Sequence, residues 1–296
     1  MNGPAPVVPV RGGRFRRWAL AWVLLWVLIP SGSPAAGRDI LFWAPYAPGS
    51  PEQAAGALEE FARLVEQAAG WPQGSISAVY RNKVDEGLSA LQELDPGFVL
   101  VPIPVHLRYN ESLGWTPVRA AVLAGVEAQR YSLYGPAGSS VDWLSDVTIE
   151  GDAAYDPVFV RTLVLGGKYP VADDRFRPTS RPLSAVRRAA RGEKVVVLLD
   201  EGQRRALASL PAAAELVLLA ESDWMPAAVL VSRAGATEAD VQQLGRVLDG
   251  LGTDPTATDL LATLRIQRFE AVDPRAIKKL QRIYSATEPP PPQADR

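Results

Sequence analysis

"DPGFVLVPIPVHLRYN" (residues 95–110) is the stretch on which the fold turns. Asp95-Pro96-Gly97 is a turn signal, and it feeds "FVLVP" (98–102), a continuous apolar run of the kind buried on both faces of a parallel sheet. Upstream, "DILFW" (39–43) reads as another buried strand, followed by the loop "APYAPGS". Ser50 then caps a helix, with Pro51 at its first position and Gln53 three residues after the cap. Ala54, Leu58, Phe61, Val65 and Ala68 recur in steps of four and three, which gives that helix one face for a sheet; Gly70 and Pro72 end it. "SISAV" (75–79) is a second strand, and "KVDEGLSALQEL" (83–94) a helix with Val84, Leu88 and Leu91 facing inward. Strand–helix–strand–helix–strand predicts a parallel α/β lobe.

His106, the only histidine, can be placed on that frame. It follows the carboxyl end of the third strand, on a turn or short helix opened by Pro104, where open α/β sheets gather their ligands. Packing or a hydrogen bond at that corner is the competing explanation for a lone histidine. Further on, "TPVRAAVLAG" (116–125) is strand-like and leads to "QRYSLYG" (129–135). "RPLSAVRRAARGE" (181–193) is a helix, with Pro182 early and arginines late to suit the helix dipole. "KVVVLLD" (194–200) is a buried strand ending in Asp200, "EGQRRALASL" (201–210) a helix and "ELVLLA" (215–220) a strand, which makes a second α/β lobe. The C-terminal part is read as helices over 237–251 and 273–284, with Thr237 and Asp240 as a capping pair. "TEPPPPQADR" closes the chain as a disordered or polyproline tail.

Composition removes several functions. Cys 0 excludes disulfides, thiolate metal sites and cysteine nucleophiles, and a single histidine excludes any zinc site needing two imidazoles. No cofactor, metal or catalytic constellation is expected, so the chain is read as a non-enzyme. "RGGRFRR" (11–17), "WALAWVLLWVLIP" (18–30) and "SGSPAAG" (31–37) form the basic, apolar and small-residue regions of an export signal. The apolar run is shorter than the ~20 residues a spanning helix needs. A signal peptide over 1–36, cut near Ala35 or Ala36, is expected, with an uncleaved anchor as the alternative; the mature chain is then soluble and periplasmic. Cleavage removes Arg11, Arg14, Arg16 and Arg17, leaving 27 basic against 33 acidic residues, about −6, with no footprint for nucleic acid.

The order of elements, the "SPEQ" helix start, a strand running into "P-x-P-x-x-L" and a helix ending "ARGE" before a strand that ends in Asp carry a resemblance. The chain, over roughly 38–285, resembles the periplasmic substrate-binding proteins of phosphate/phosphonate-type ABC transporters. The resemblance implies a type II periplasmic-binding clamshell, an α/β fold of two lobes, each a mostly parallel sheet flanked by helices, joined by two crossover strands. Its implied division is 37–128 for the first part of lobe 1, 129–224 for lobe 2, 225–287 for the return to lobe 1 and 288–296 for the tail. The family's aromatic after the first strand falls on Tyr46, its aromatic on the turn after the third strand on His106, a departure, and its acidic residue late in the second lobe on Asp200. The Ser/Thr-rich anion cradle falls on "EGDAAYDPVFVRTLVLGG" (150–167), where Gly151, Asp152, Ala153, Ala154 and Tyr155 replace the expected hydroxyls. Asp152 and Asp156 there would repel a phosphonate unless a cation intervenes.

The expected function is therefore an exported solute-binding protein with a ligand other than free phosphate or phosphonate, lined by Tyr46, His106, Tyr155 and Asp200. An acid-lined cleft suits an amine-bearing or cationic guest. For Asp152, Asp156 and Asp200, helix capping is the competing role. An ABC permease or another envelope protein is the expected partner, and a lobed binder of this size is expected to be a monomer. The other function class is a binding-protein-like sensor or accessory module that carries no cargo and acts through a protein partner.

Overall fold

A computed structural model describes residues 37–286 and Gly3. The expected export signal (apart from Gly3) and Pro-rich tail lie outside the described residues. The first segment builds β1 (Ile40–Trp43), α1 (Pro51–Ala69), β2 (Ala78–Arg81), α2 (Val84–Glu93), β3 (Phe98–Pro102), α3 (Ile103–Leu113) and β4 (Thr116–Leu123). The start of α1 is made as its sequence dictates. Ser50 accepts the Gln53 backbone N–H, the Gln53 side chain accepts the Ser50 N–H, and Gly70 ends the helix in the left-handed region. Leu58, Phe61 and Val65 are buried on its inner face. The second strand forms three residues later than expected, over 78–81, because 75–77 make the turn into it.

A second sheet follows, built from β5 (Ser132–Pro136), β6 (Thr148–Gly151), β7 (Phe176–Pro178), β8 (Val195–Leu199) and β9 (Leu216–Glu221). Between its strands lie α4 (Pro157–Phe159), which continues as a π turn over Val160–Val164, α5 (Pro182–Ala190) and α6 (Glu201–Leu207). The chain then returns to the first sheet with β10 (Ala228–Ser232), α7 (Glu238–Leu251), α8 (Pro255–Thr263), β11 (Ile266–Glu270) and α9 (Pro274–Ser285). The strand orders are β11-β4-β10-β3-β1-β2 and β7-β6-β8-β5-β9.

This is a two-lobed α/β fold, and each sheet is mixed rather than mostly parallel. β1 pairs in parallel with β2 and β3, as the opening stretch requires, but β10 runs antiparallel between β3 and β4, and β11 antiparallel to β4. In the second sheet β6 is parallel to β7 and β8, while β5 is antiparallel to β8 and β9. The cause is the connectivity. A strand that arrives from the other sheet enters without a helical crossover, so it can lie antiparallel to its neighbours. The return segment, read as helices from the sequence, contributes two of these strands.

Among the described residues three apolar clusters hold the layers. One lies between the first sheet and α1, α7 and α8, with Phe61, Leu230, Leu244 and Leu261 at its centre. Another joins the outer face of the second sheet to α5 and α6 through Ala185, Val197 and Leu207. The largest takes members of both sheets, among them Leu41, Val101, Val229, Ile149 and Val196, and joins them through Phe159, Val160, Leu163, Ile277 and Leu280. Thus α4 with its π turn and α9 pack the two lobes onto a common core.

Candidate ligand cleft

A cavity of about 470 Å³ opens where the two sheets meet. Its walls come from the carboxyl ends of parallel strands in both: Phe42 and Trp43 on β1, Val101 and Pro102 on β3, Asp152 just past β6 and Asp200 just past β8. This is the place where strand ends leave a crevice between connections that diverge. Beside it run the two crossover segments, which pair with each other. Gln129 and Met225 exchange backbone hydrogen bonds of 2.8 and 2.9 Å, and the Ser222 N–H donates to the Tyr131 carbonyl at 2.9 Å. Gln129 and Tyr131 also line the cavity.

Most of the lining is apolar or aromatic, including Phe42, Leu100, Tyr80, Tyr131 and Tyr155. The charged groups are few: Asp152, Asp200 and Arg265. Asp200 caps α6, its carboxylate accepting the Gln203 backbone N–H at 2.6 Å, and the Gln203 side chain returns the bond to the Asp200 N–H. The same Gln203 side chain donates to the Asp152 carboxylate at 2.9 Å, while the other Asp152 oxygen accepts the Ala153 N–H at 2.6 Å. Burial, then the nearby Asp200 charge, pushes Asp152 far above the ordinary carboxylate range, to about 7. Burial raises Asp200 as well. Tyr155 is held well above the usual phenol range by burial, and its hydroxyl is enclosed without a hydrogen-bond partner among the described residues. Across the cavity, burial pushes Tyr80 up to about 12.

Of the four residues expected to line the site, Tyr155 and Asp200 do so. Tyr46 stands behind Tyr155, the two rings stacked at 6.1 Å and 18°. It takes a left-handed backbone (φ 60°) in the loop after β1, fixed by its N–H donating to Asn82. His106 lies elsewhere. It is fully enclosed, absent from the cavity walls, stacked on Trp115 at 6.3 Å, and neither ring nitrogen has a hydrogen-bond partner among the described residues. The reason is local: α3 begins at Ile103, directly after β3, so His106 falls on the face that also buries Ile103 and Leu107 against the core. Burial lowers its pKa to about 4, so it is neutral at physiological pH. The packing explanation of the lone histidine is the one the structure supports.

The acidic stretch divides in the same way. Asp152 faces the cavity, but Asp156 is 1% exposed and turned inward. It caps α4 by accepting the Phe159 N–H at 3.1 Å, and it accepts the Tyr284 hydroxyl at 3.0 Å. Arg108 of α3 donates to the Tyr155 carbonyl at 2.6 Å. Gln129, Tyr131, Tyr80 and Arg265 were not singled out from the sequence. A signal existed for the first two, since "QRYSLYG" enters the second sheet directly from the first and must pass the interface; nothing local marks Tyr80 or Arg265.

The geometry can be set against known proteins. Residues 165–276 match the family described as "ABC transporter, phosphonate, periplasmic substrate-binding protein". The chain shares the type II periplasmic-binding fold, and its family likeness is to the phosphonate-binding substrate-binding proteins of ABC transporters. That family binds solutes and is not enzymatic. Solved structures of three proteins illustrate the shared fold. The Xanthomonas citri protein XAC2383, solved with chloride and with ATP, is 15% and 14% identical in the two structures, with a TM-score of 0.66 over 85% of this chain and 98% of that one. A binding component of an ABC phosphonate transporter from Pseudomonas aeruginosa is 15% identical, with a TM-score of 0.60 over 85% of this chain and 88% of its own. PhnD1 from Prochlorococcus marinus, in complex with methylphosphonate, is 9% identical, with a TM-score of 0.55 over 83% and 97%. At these identities the likeness is one of fold. Comparison with curated proteins gives no match. Among the described residues no helix is long and apolar enough to cross a membrane.

Proposed function

We propose that this chain is an exported solute-binding protein of the phosphonate-transporter type, which closes its two lobes over a small molecule and presents it to an ABC permease. The observation that carries this reading is the cavity's position, at strand ends from both sheets beside the paired crossover segments. Its mostly apolar walls and few converging polar groups have the make-up of small-molecule sites. Asp152 stands where the resemblance puts hydroxyl donors, which argues against free phosphate or phosphonate as the guest. Tyr155, Asp200, Tyr131 and Gln129 are the contacts, with Tyr46 buttressing Tyr155 from behind.

Two measurements test this reading. Native mass spectrometry of the protein purified without denaturation should find a co-purified small molecule. A solute added at a hundred times its dissociation constant should stabilise the fold by about 2.7 kcal/mol. For a domain of this size that raises the melting midpoint by several degrees. A midpoint unmoved by phosphate, phosphonates, amino acids, amines and oligopeptides, with no adduct in the spectrum, would remove solute carriage. A second reading, a sensor or accessory module acting through an envelope protein, draws support from the core that both lobes share and from the Arg108 and Tyr284 bonds, which restrict opening. Under it, affinity capture from envelope extract recovers a protein partner and the solute panel stays silent.

A further inference from the structure

β6 and β8 are neighbouring parallel strands, and each leads directly into an aspartate at the cavity wall. Gln203 ties the two turns together, donating its side-chain amide to Asp152 and its backbone N–H to Asp200. Among the described residues neither carboxylate forms an ion pair, and the acid next in sequence, Glu201, is taken up by Arg204 and Arg205 at 2.7 and 2.8 Å. Arg265, directly before β11, lines the same cavity and its charge acts on Asp200, and Arg108 is engaged by the Tyr155 carbonyl. The remaining groups facing the pair are the phenols of Tyr131 and Tyr155.

Two like charges largely withdrawn from solvent in one cavity, offset only by the Arg265 charge acting on Asp200, are costly unless a proton or a further cation joins them. A second feature points to a guest. Tyr155 lines the same wall, and its hydroxyl is enclosed within that wall with no partner among the described residues; an unmade buried hydrogen bond costs about 1–3 kcal/mol, which a small turn of the side chain towards a guest would recover. A cavity of about 470 Å³ walled by Phe42, Tyr80, Tyr131 and Leu100 is far larger than a bare metal ion and suits an organic body.

We propose that the solute is an organic cation, a protonated amine or quaternary ammonium held by Asp152 and Asp200 and touched by the Tyr155 hydroxyl, with no anionic group of its own. This rests on the solute-binding reading above and names its substrate class. The pair holds a proton for part of the time near neutral pH, because burial raises both carboxyls and the nearby Asp200 charge raises Asp152 further. The incoming cation takes the place of that proton, which leaves to solvent, so affinity rises with pH through neutrality.

Isothermal titration of the full mature chain tests this with ethanolamine, choline and putrescine. The matched anionic probes are 2-aminoethylphosphonate, phosphocholine, methylphosphonate and phosphate, with magnesium and calcium chloride as bare cations. At least one of the three amines should bind at pH 8, weaken about tenfold or more at pH 5.5, and release protons in buffers of differing ionisation heat. Asp152→Asn and Asp200→Asn should each weaken it by about tenfold or more. The second variant keeps a good helix cap, so its loss reads charge rather than folding. Several results overturn the inference and leave solute binding standing: a phosphonate or phosphate ester that binds tighter than its parent amine, binding by the anions or bare metal ions alone, or amine binding indifferent to both variants. Failure of every probe overturns the inference, and solute binding falls with it if the broader panel also leaves the melting midpoint unmoved.

Discussion

Asp200 has two duties at once, and they can be separated. As the cap of α6 it satisfies a backbone N–H, and as a cavity acid it carries charge. Asp200→Ala should cost about 1 kcal/mol of stability, whereas Asp200→Asn should melt close to the parent, as followed by thermal denaturation. His106 makes the opposite case. Its ring is neutral and buried, without hydrogen-bond partners among the described residues, with a folded pKa of about 4 against an ordinary value of 6.5. The unfolded chain therefore binds the proton first, and stability is lost as pH falls from about 6.5 towards 4. His106→Leu should flatten that part of the pH–stability profile and leave solute affinity unchanged. A loss of affinity would return the histidine to the site. The sequence put His106 near strand ends but could not say which way it points, because one helical residue more or less between β3 and position 106 swings the side chain from cleft to core.

At the level of elements, the parts set by local chemistry were legible. The capping box at Ser50, the Thr237 cap of α7, the Asp200 cap and the apolar runs of β1, β3 and β8 all stand where periodicity and turn residues put them. Strand direction was not legible, since "AVLVS" in β10 has the same apolar pattern whether it runs with or against β3. One close approach shows how tightly the first layer is fixed. A methyl group on Gly87 of α2 would overlap the Trp43 indole nitrogen, and that nitrogen donates to the Lys83 carbonyl at 3.0 Å. Gly87→Ala should therefore destabilise by about 1–3 kcal/mol through overpacking. Chemical denaturation checks the loss, and blunted tryptophan fluorescence changes would locate it at β1. Gly151 is constrained in the same way, since any Cβ there would collide with the Leu198 carbonyl. Its lack of a side chain keeps β6 and β8 close and so keeps the aspartates that follow them together.

Across the whole molecule, the lobes are joined by more than their two crossover segments. Arg108 donates to the Tyr155 carbonyl, Tyr284 to Asp156, and Tyr46 stacks on Tyr155, so one short turn of the second lobe is gripped from three places on the first. Arg108→Ala combined with Tyr284→Phe should loosen that grip. Small-angle scattering of the solute-free variant should give a larger radius of gyration than the parent, with unchanged circular dichroism. An unchanged radius would mean that the shared apolar core alone holds the lobes. The central claim, that the cavity between the sheets is where the protein holds its solute, is tested most directly by a crystal structure of the natively purified protein. Density is expected for a small organic molecule bounded by Asp152, Tyr155, Asp200 and Tyr131, with a basic nitrogen within hydrogen-bond reach of an aspartate. A solute lodged elsewhere on the molecule, or an anion seated against Arg265 with both aspartates turned away, would contradict it.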